Sequence, residues 1–68
     1  MTLILSIETA LGQSYREKFH MGTMLSVAKD EAEKRFHGRL NFGLPCASVA
    51  VKDIEADKVI CVYDGEWN

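Results

Sequence analysis

Along the first residues of the chain apolar and polar side chains alternate. Leu3, Leu5 and Ile7 fall on one side and Thr2, Ile4, Ser6 and Glu8 on the other, a period of two that predicts a strand rich in aliphatic and β-branched residues. Leu11-Gly12-Gln13-Ser14 supplies turn chemistry. From Tyr15 the alternation resumes, with Tyr15, Phe19 and Met21 in phase and Arg16, Lys18 and His20 opposite, so a second strand over 15–21 closes a hairpin. Gly22 and Thr23 break that rhythm and the period lengthens. Leu25, Ala28, Ala32 and Phe36 now share one stripe, flanked by Met24 and Val27, which predicts an amphipathic helix over 24–37. Thr23 is placed to cap its first turn and Gly38 to close it as a C-cap glycine. Asp30 with Lys34 and Glu31 with Arg35 have the spacing of favourable i,i+4 pairs.

Residues 39–45 have no regular period, and Pro45 holds Leu44 extended, so this segment reads as a loop whose Leu40, Phe42 and Leu44 tuck inward. Two further strands, 46–52 and 58–63, flank the polar turn 53–57 and form a second hairpin. The order β-β-α-β-β places the chain in the α+β class: one small domain, 1–68, with a four-stranded, mostly antiparallel sheet and one helix packed on one face. A core this small leaves no room for a deep internal site. Every strand must pack, or the chain must form a homodimer to bury enough surface.

Composition changes this picture little. With 47% hydrophobic and 26% charged residues, five glycines and one proline among 68 residues, the chain is an ordinary folding sequence. Its apolar runs are too short for a membrane span, and the first residues lack a basic region followed by a long apolar one. The expectation is no membrane partner and a cytoplasmic location. Two cysteines, Cys46 and Cys61, make no disulfide framework and read as small buried hydrophobes.

Charge is unevenly spread. Residues 1–39 carry six basic side chains against five acidic ones, a balance of +1, whereas residues 40–68 carry two against five, a balance of −3. A net charge of −2 disfavours direct nucleic-acid binding, which needs a basic excess.

Catalytic chemistry finds little purchase. His20, His37, Cys46 and Cys61 stand singly on different elements without metal-ligand spacing, and both thiols lie in apolar strands rather than in a basic pocket that would activate them. The carboxylates that could pair for acid and base work, Asp53, Glu55, Asp57, Asp64 and Glu66, lie in or beside turns, and the five glycines are separated by whole elements, so no phosphate loop is expected. The expectation is a protein that is not an enzyme and takes no cofactor or metal. What remains is surface recognition. Arg16, Lys18 and His20 on the second strand, with Lys34, Arg35 and Arg39 towards the helix end, offer a basic patch; Asp53, Glu55, Asp57, Asp64 and Glu66 offer an acidic one. Trp67 is the sole tryptophan and is expected to close the small core.

The run Phe36-His37-Gly38 at the helix exit follows Ala28-Lys29 and precedes a strand, a turn, a strand and Asp64-Gly65-Glu66-Trp67. In this layout the chain resembles the small proteins that phages encode against CRISPR defence, in particular a type I-F anti-CRISPR family of similar length. Residue by residue the match is Phe36, His37 and Gly38. The resemblance implies a non-enzymatic inhibitor that binds a host type I CRISPR effector, the Cascade complex, and blocks target DNA binding. Because the DNA path of such a partner is basic, Asp53, Glu55, Asp57, Asp64 and Glu66 are the first candidates for contact, with Arg16, Lys18, Lys34, Arg35 and Phe36 as the alternative surface. The alternative function is a small regulatory or nucleic-acid-binding module that uses the basic patch on phosphates.

Overall fold

The computed structural model describes residues 2–19 and 22–68, and its element order is the expected one: β1 (Leu3–Glu8), β2 (Ser14–Lys18), α1 (Leu25–Asn41), β3 (Ser48–Asp53) and β4 (Lys58–Tyr63). The strands form one antiparallel sheet in the order β2-β1-β3-β4, so the two hairpins are joined through their first strands and α1 crosses between them. His20 and Met21, expected at the end of the second strand, lie outside the described residues.

The core lies between the sheet and α1. Leu3, Leu5 and Ile7 of β1, Val49 and Val51 of β3 and Tyr63 of β4 meet Ala28, Ala32 and Phe36 of α1, with Phe19, Leu25, Cys46, Ile60, Cys61 and Trp67 packed at its margins. Ala28 and Ala32 are fully buried, and their small size lets the helix axis approach the sheet closely. The helix rides over β3 and β1, touches β4, and leaves β2 without backbone contact.

Three expectations about α1 are corrected. Met24 occupies the N-cap position and makes no side-chain cap hydrogen bond. At the other end the helix runs through Gly38 to Asn41. Its closure comes from Gly43, whose φ of +73° suits glycine, with Gly43 N donating to Leu40 O at 3.0 Å and Leu44 N donating to Arg39 O at 2.8 Å. This pair of hydrogen bonds around a left-handed residue is a Schellman motif, and it leaves Gly38 in the helix interior because Gly43 adopts the required conformation. The charged side chains also pair differently. Lys34 Nζ meets Glu31 one turn away at 3.7 Å, and Arg35 Nε reaches Glu17 of β2 at 3.0 Å.

The extension of α1 overturns the inward packing expected of Leu40, Phe42 and Leu44. All three are exposed, Phe42 at 85%. Leu40 continues the i+4 row of Ala28, Ala32 and Phe36 but stands one turn beyond the last core residue, and Phe42 and Leu44 follow it in the Schellman turn.

At the chain end the backbone folds back along β4. Val62 N donates to Asn68 O at 3.2 Å and Asn68 N to Val62 O at 2.9 Å, while Tyr63 and Trp67 form an antiparallel bridge. Gly65, with φ of +108°, makes this reversal. The Trp67 ring packs at a tilt against Tyr63, 4.9 Å between centroids, and its Nε1 donates to Glu33 Oε1 at 2.7 Å, so it seals the end of the core as expected.

Candidate partner-binding surface

The five acidic candidates do not form one surface. Asp53 sits on the helix side of β3, 8% exposed, and its Oδ1 accepts from Glu55 N at 3.0 Å and Ala56 N at 3.3 Å. It is a turn-closing side chain, not a solvated one, because the β3–β4 turn needs an acceptor for its amides. Glu55 accepts a hydrogen bond from the Thr2 hydroxyl, which ties the turn to the start of the sheet. Asp57 is exposed in the left-handed conformation at φ 51°. Asp64 and Glu66 lie at the other end of the hairpin, where Asp64 Oδ1 accepts from Glu66 N at 3.3 Å and Oδ2 from Asn68 Nδ2 at 3.2 Å. The length of β4 separates the two groups.

The basic candidates are brought together better, in two neighbouring regions. Arg16 stands opposite Ser6 and Lys18 opposite Ile4 in the β1–β2 pairing, and Ile4 stands opposite Lys52 in the β1–β3 pairing. Directly opposed residues in antiparallel strands share a face. Arg16, Lys18 and Lys52 therefore lie together on the face of the sheet that α1 does not cover, around the small side chains Ser6 and Ala50. Among the described residues none of the three makes an ion pair. The sequence alone did not connect Lys52 with Arg16 and Lys18, since that requires the strand order.

The second region is the exit of α1. Lys34, Arg35, Gly38, Arg39, Phe42 and Leu44 line a shallow depression of 210 Å³. Arg39 lies 5.3 Å from the Tyr15 ring and reaches Pro45 O at 3.4 Å, which holds this cation between β2 and the loop. Phe42 is more exposed than Tyr15, the other aromatic residue beside Arg39. Phe36, named on the strength of the Phe-His-Gly run, is 7% exposed and contributes to the core, where its ring meets Tyr63 edge-on at 5.2 Å. His37 is exposed, and its Nε2 lies 2.9 Å from the Tyr63 hydroxyl. Of the run that carries the resemblance, Phe36 is a core residue, whereas His37 is exposed and Gly38 half-buried. The helical stripe with Leu25, Ala28 and Ala32 already placed Phe36 inward; its place among the contact candidates came from the resemblance.

Between β2 and α1 lies a larger groove of 330 Å³, floored by Leu5 and Phe19 and walled by Val27, Glu17 and Arg35. It exists because the helix sits over β1 and β3 and leaves the β2 side unfilled. Burial pushes both thiols up from their ordinary range, against smaller opposing effects of Arg39 on Cys46 and Lys29 on Cys61, so neither is an activated nucleophile. Among the described residues no three His, Cys, Asp or Glu side chains gather in metal-holding geometry, and no helix is long and apolar enough to cross a membrane.

Comparison with known proteins adds no relative: no family model, no curated protein and no solved structure matches the chain.

Proposed function

We propose that the protein is a non-catalytic inhibitor that docks on a protein subunit of a type I CRISPR effector and so blocks target DNA binding. The resemblance in layout is what supports a type I effector as the partner. The docking surface is the exit of α1 and the adjoining β2, and the observation that carries this choice is Phe42. An aromatic side chain left 85% exposed beside Lys34, Arg35 and Arg39 is an arrangement suited to interfaces, where aromatic and arginine side chains supply most of the binding energy. The acidic turns, by contrast, are divided between two ends of a hairpin and spend Asp53 and Asp64 on their own backbone. Co-purification with type I effector complexes, followed by a target-DNA binding assay, tests the function. Association with loss of DNA binding is expected, and no association with any type I complex at micromolar protein overturns it.

A second reading rests on the uncovered sheet face. Arg16, Lys18 and Lys52 without carboxylate partners suit phosphates, as in a small regulatory module acting directly on nucleic acid. Three phosphate contacts on a single strand would give a log–log salt dependence of about −2. Titrations that show no binding to plain DNA or RNA at low ionic strength discard this reading.

A further inference from the structure

The two edges of the sheet are unlike. On the β4 side, the returning chain end pairs with Val62 through both of its backbone bonds to Asn68. The β2 side has no such cover among the described residues. Thr9 N donates to Gln13 O and Phe19 N to Leu3 O, so in the alternating antiparallel pattern Tyr15 and Glu17 bond inward to β1. The N–H and C=O groups of Ser14, Arg16 and Lys18 consequently point out of the sheet, a template for another strand.

We infer that β2 receives an extended segment of a protein partner as a fifth strand, and that this segment alternates acidic and apolar side chains. This inference rests on the partner-binding reading and specifies the partner's chemistry. Main-chain bonds to the edge would supply affinity, and alternate side chains would supply specificity. Side chains of an added strand that stand opposite Arg16 and Lys18 project onto the same uncovered face as those two cations, so acidic residues fit there. The intervening side chain stands opposite Glu17 and projects to the helix side, over the groove floored by Leu5 and Phe19 and walled by Val27. That pocket already holds Glu17, Glu31 and Arg35, which makes an uncharged apolar side chain its suitable occupant.

A second copy of the chain is a poorer occupant. Antiparallel pairing of β2 with itself about its central residue sets Arg16 against Arg16, and like charges directly opposite each other are destabilising. The cations that fit an acidic strand therefore also guard the edge against self-pairing.

The test uses the whole protein and two short synthetic peptides, one alternating Glu and Val, the other Lys and Val, followed by amide hydrogen exchange and sedimentation. Expected is binding of the Glu-Val peptide alone, with exchange at Arg16 and Lys18 amides slowed by about tenfold or more at saturation. The double variant Arg16→Glu with Lys18→Glu, checked for folding by circular dichroism, should switch preference to the Lys-Val peptide, and Val27→Asp should weaken both. Binding with protection confined to other residues, binding of both peptides alike, absence of binding, or self-association through β2 each overturns the inference. Effector association that persists while the peptides fail would refute the added strand and leave the docking function standing.

Discussion

Arg35 of the helix and Glu17 of the edge strand meet across 3.0 Å, bridging the groove that the helix leaves over β2. Both side chains are about half exposed, 50% and 42%, so the pair contributes less to stability than its length suggests. Glu17→Gln should change unfolding free energy by no more than about 1 kcal/mol in urea titration. A loss of several kcal/mol would mean that the bridge holds α1 to β2 and that the groove is a packed part of the fold.

Gly38 and Gly43 should respond oppositely to alanine. Gly38 lies inside α1 with open space where a Cβ would stand, so Gly38→Ala is expected to stabilise by about 0.5–1 kcal/mol through helix propensity. Gly43 at φ +73° closes the Schellman motif, and Gly43→Ala is expected to destabilise by about 1–2 kcal/mol. Thermal melts of the two variants check both signs, and a helix ending at Gly38 would reverse the ranking.

Asp53 and Asp57 separate a structural acid from a solvated one. Asp53→Ala removes the acceptor of two turn amides in a buried position and should cost about 1–3 kcal/mol. Asp57→Asn keeps a residue type that tolerates the left-handed conformation and should be close to neutral. Equal effects in denaturant unfolding would contradict the assignment of Asp53 to the turn.

The element order was legible because period and punctuation agree at every step: alternation in Leu3, Leu5 and Ile7, the stripe Leu25, Ala28, Ala32 and Phe36, and the paired runs around the 53–57 turn. The end of the helix was not. Two glycines, Gly38 and Gly43, both suit a C-cap by sequence, and the choice depends on the Schellman bonds that only Gly43 completes here. That single displacement accounts for the exposure of Leu40, Phe42 and Leu44, while Phe36 lies in the core where its period placed it, although the resemblance had named it as a contact. Strand order was equally hidden. Lys52 joins Arg16 and Lys18 because β3 lies beside β1, a relation that no local pattern encodes.

Alkaline pH should weaken the fold through Cys46 and Cys61. Burial raises both thiol pKa values above their unfolded value, so the folded state holds these protons more tightly. The associated stability is present below the unfolded thiol pKa and declines as pH rises through the folded values. Unfolding midpoints in urea should fall across this alkaline window, and the double variant Cys46→Ala with Cys61→Ala should show a shallower decline. An identical decline in wild type and variant would assign the pH dependence elsewhere.

The most direct measurement is a quantitative pull-down of a type I effector complex with two charge-reversal variants, both shown folded by circular dichroism. One carries Arg16→Glu, Lys18→Glu and Lys34→Glu; the other carries Glu55→Lys, Asp57→Lys and Glu66→Lys, sparing the buried Asp53. Loss of association of about tenfold or more in the basic-surface variant, with near wild-type capture by the acidic-turn variant, is the expected result. The opposite ranking would place the interface on the acidic turns and contradict docking through β2 and the exit of α1.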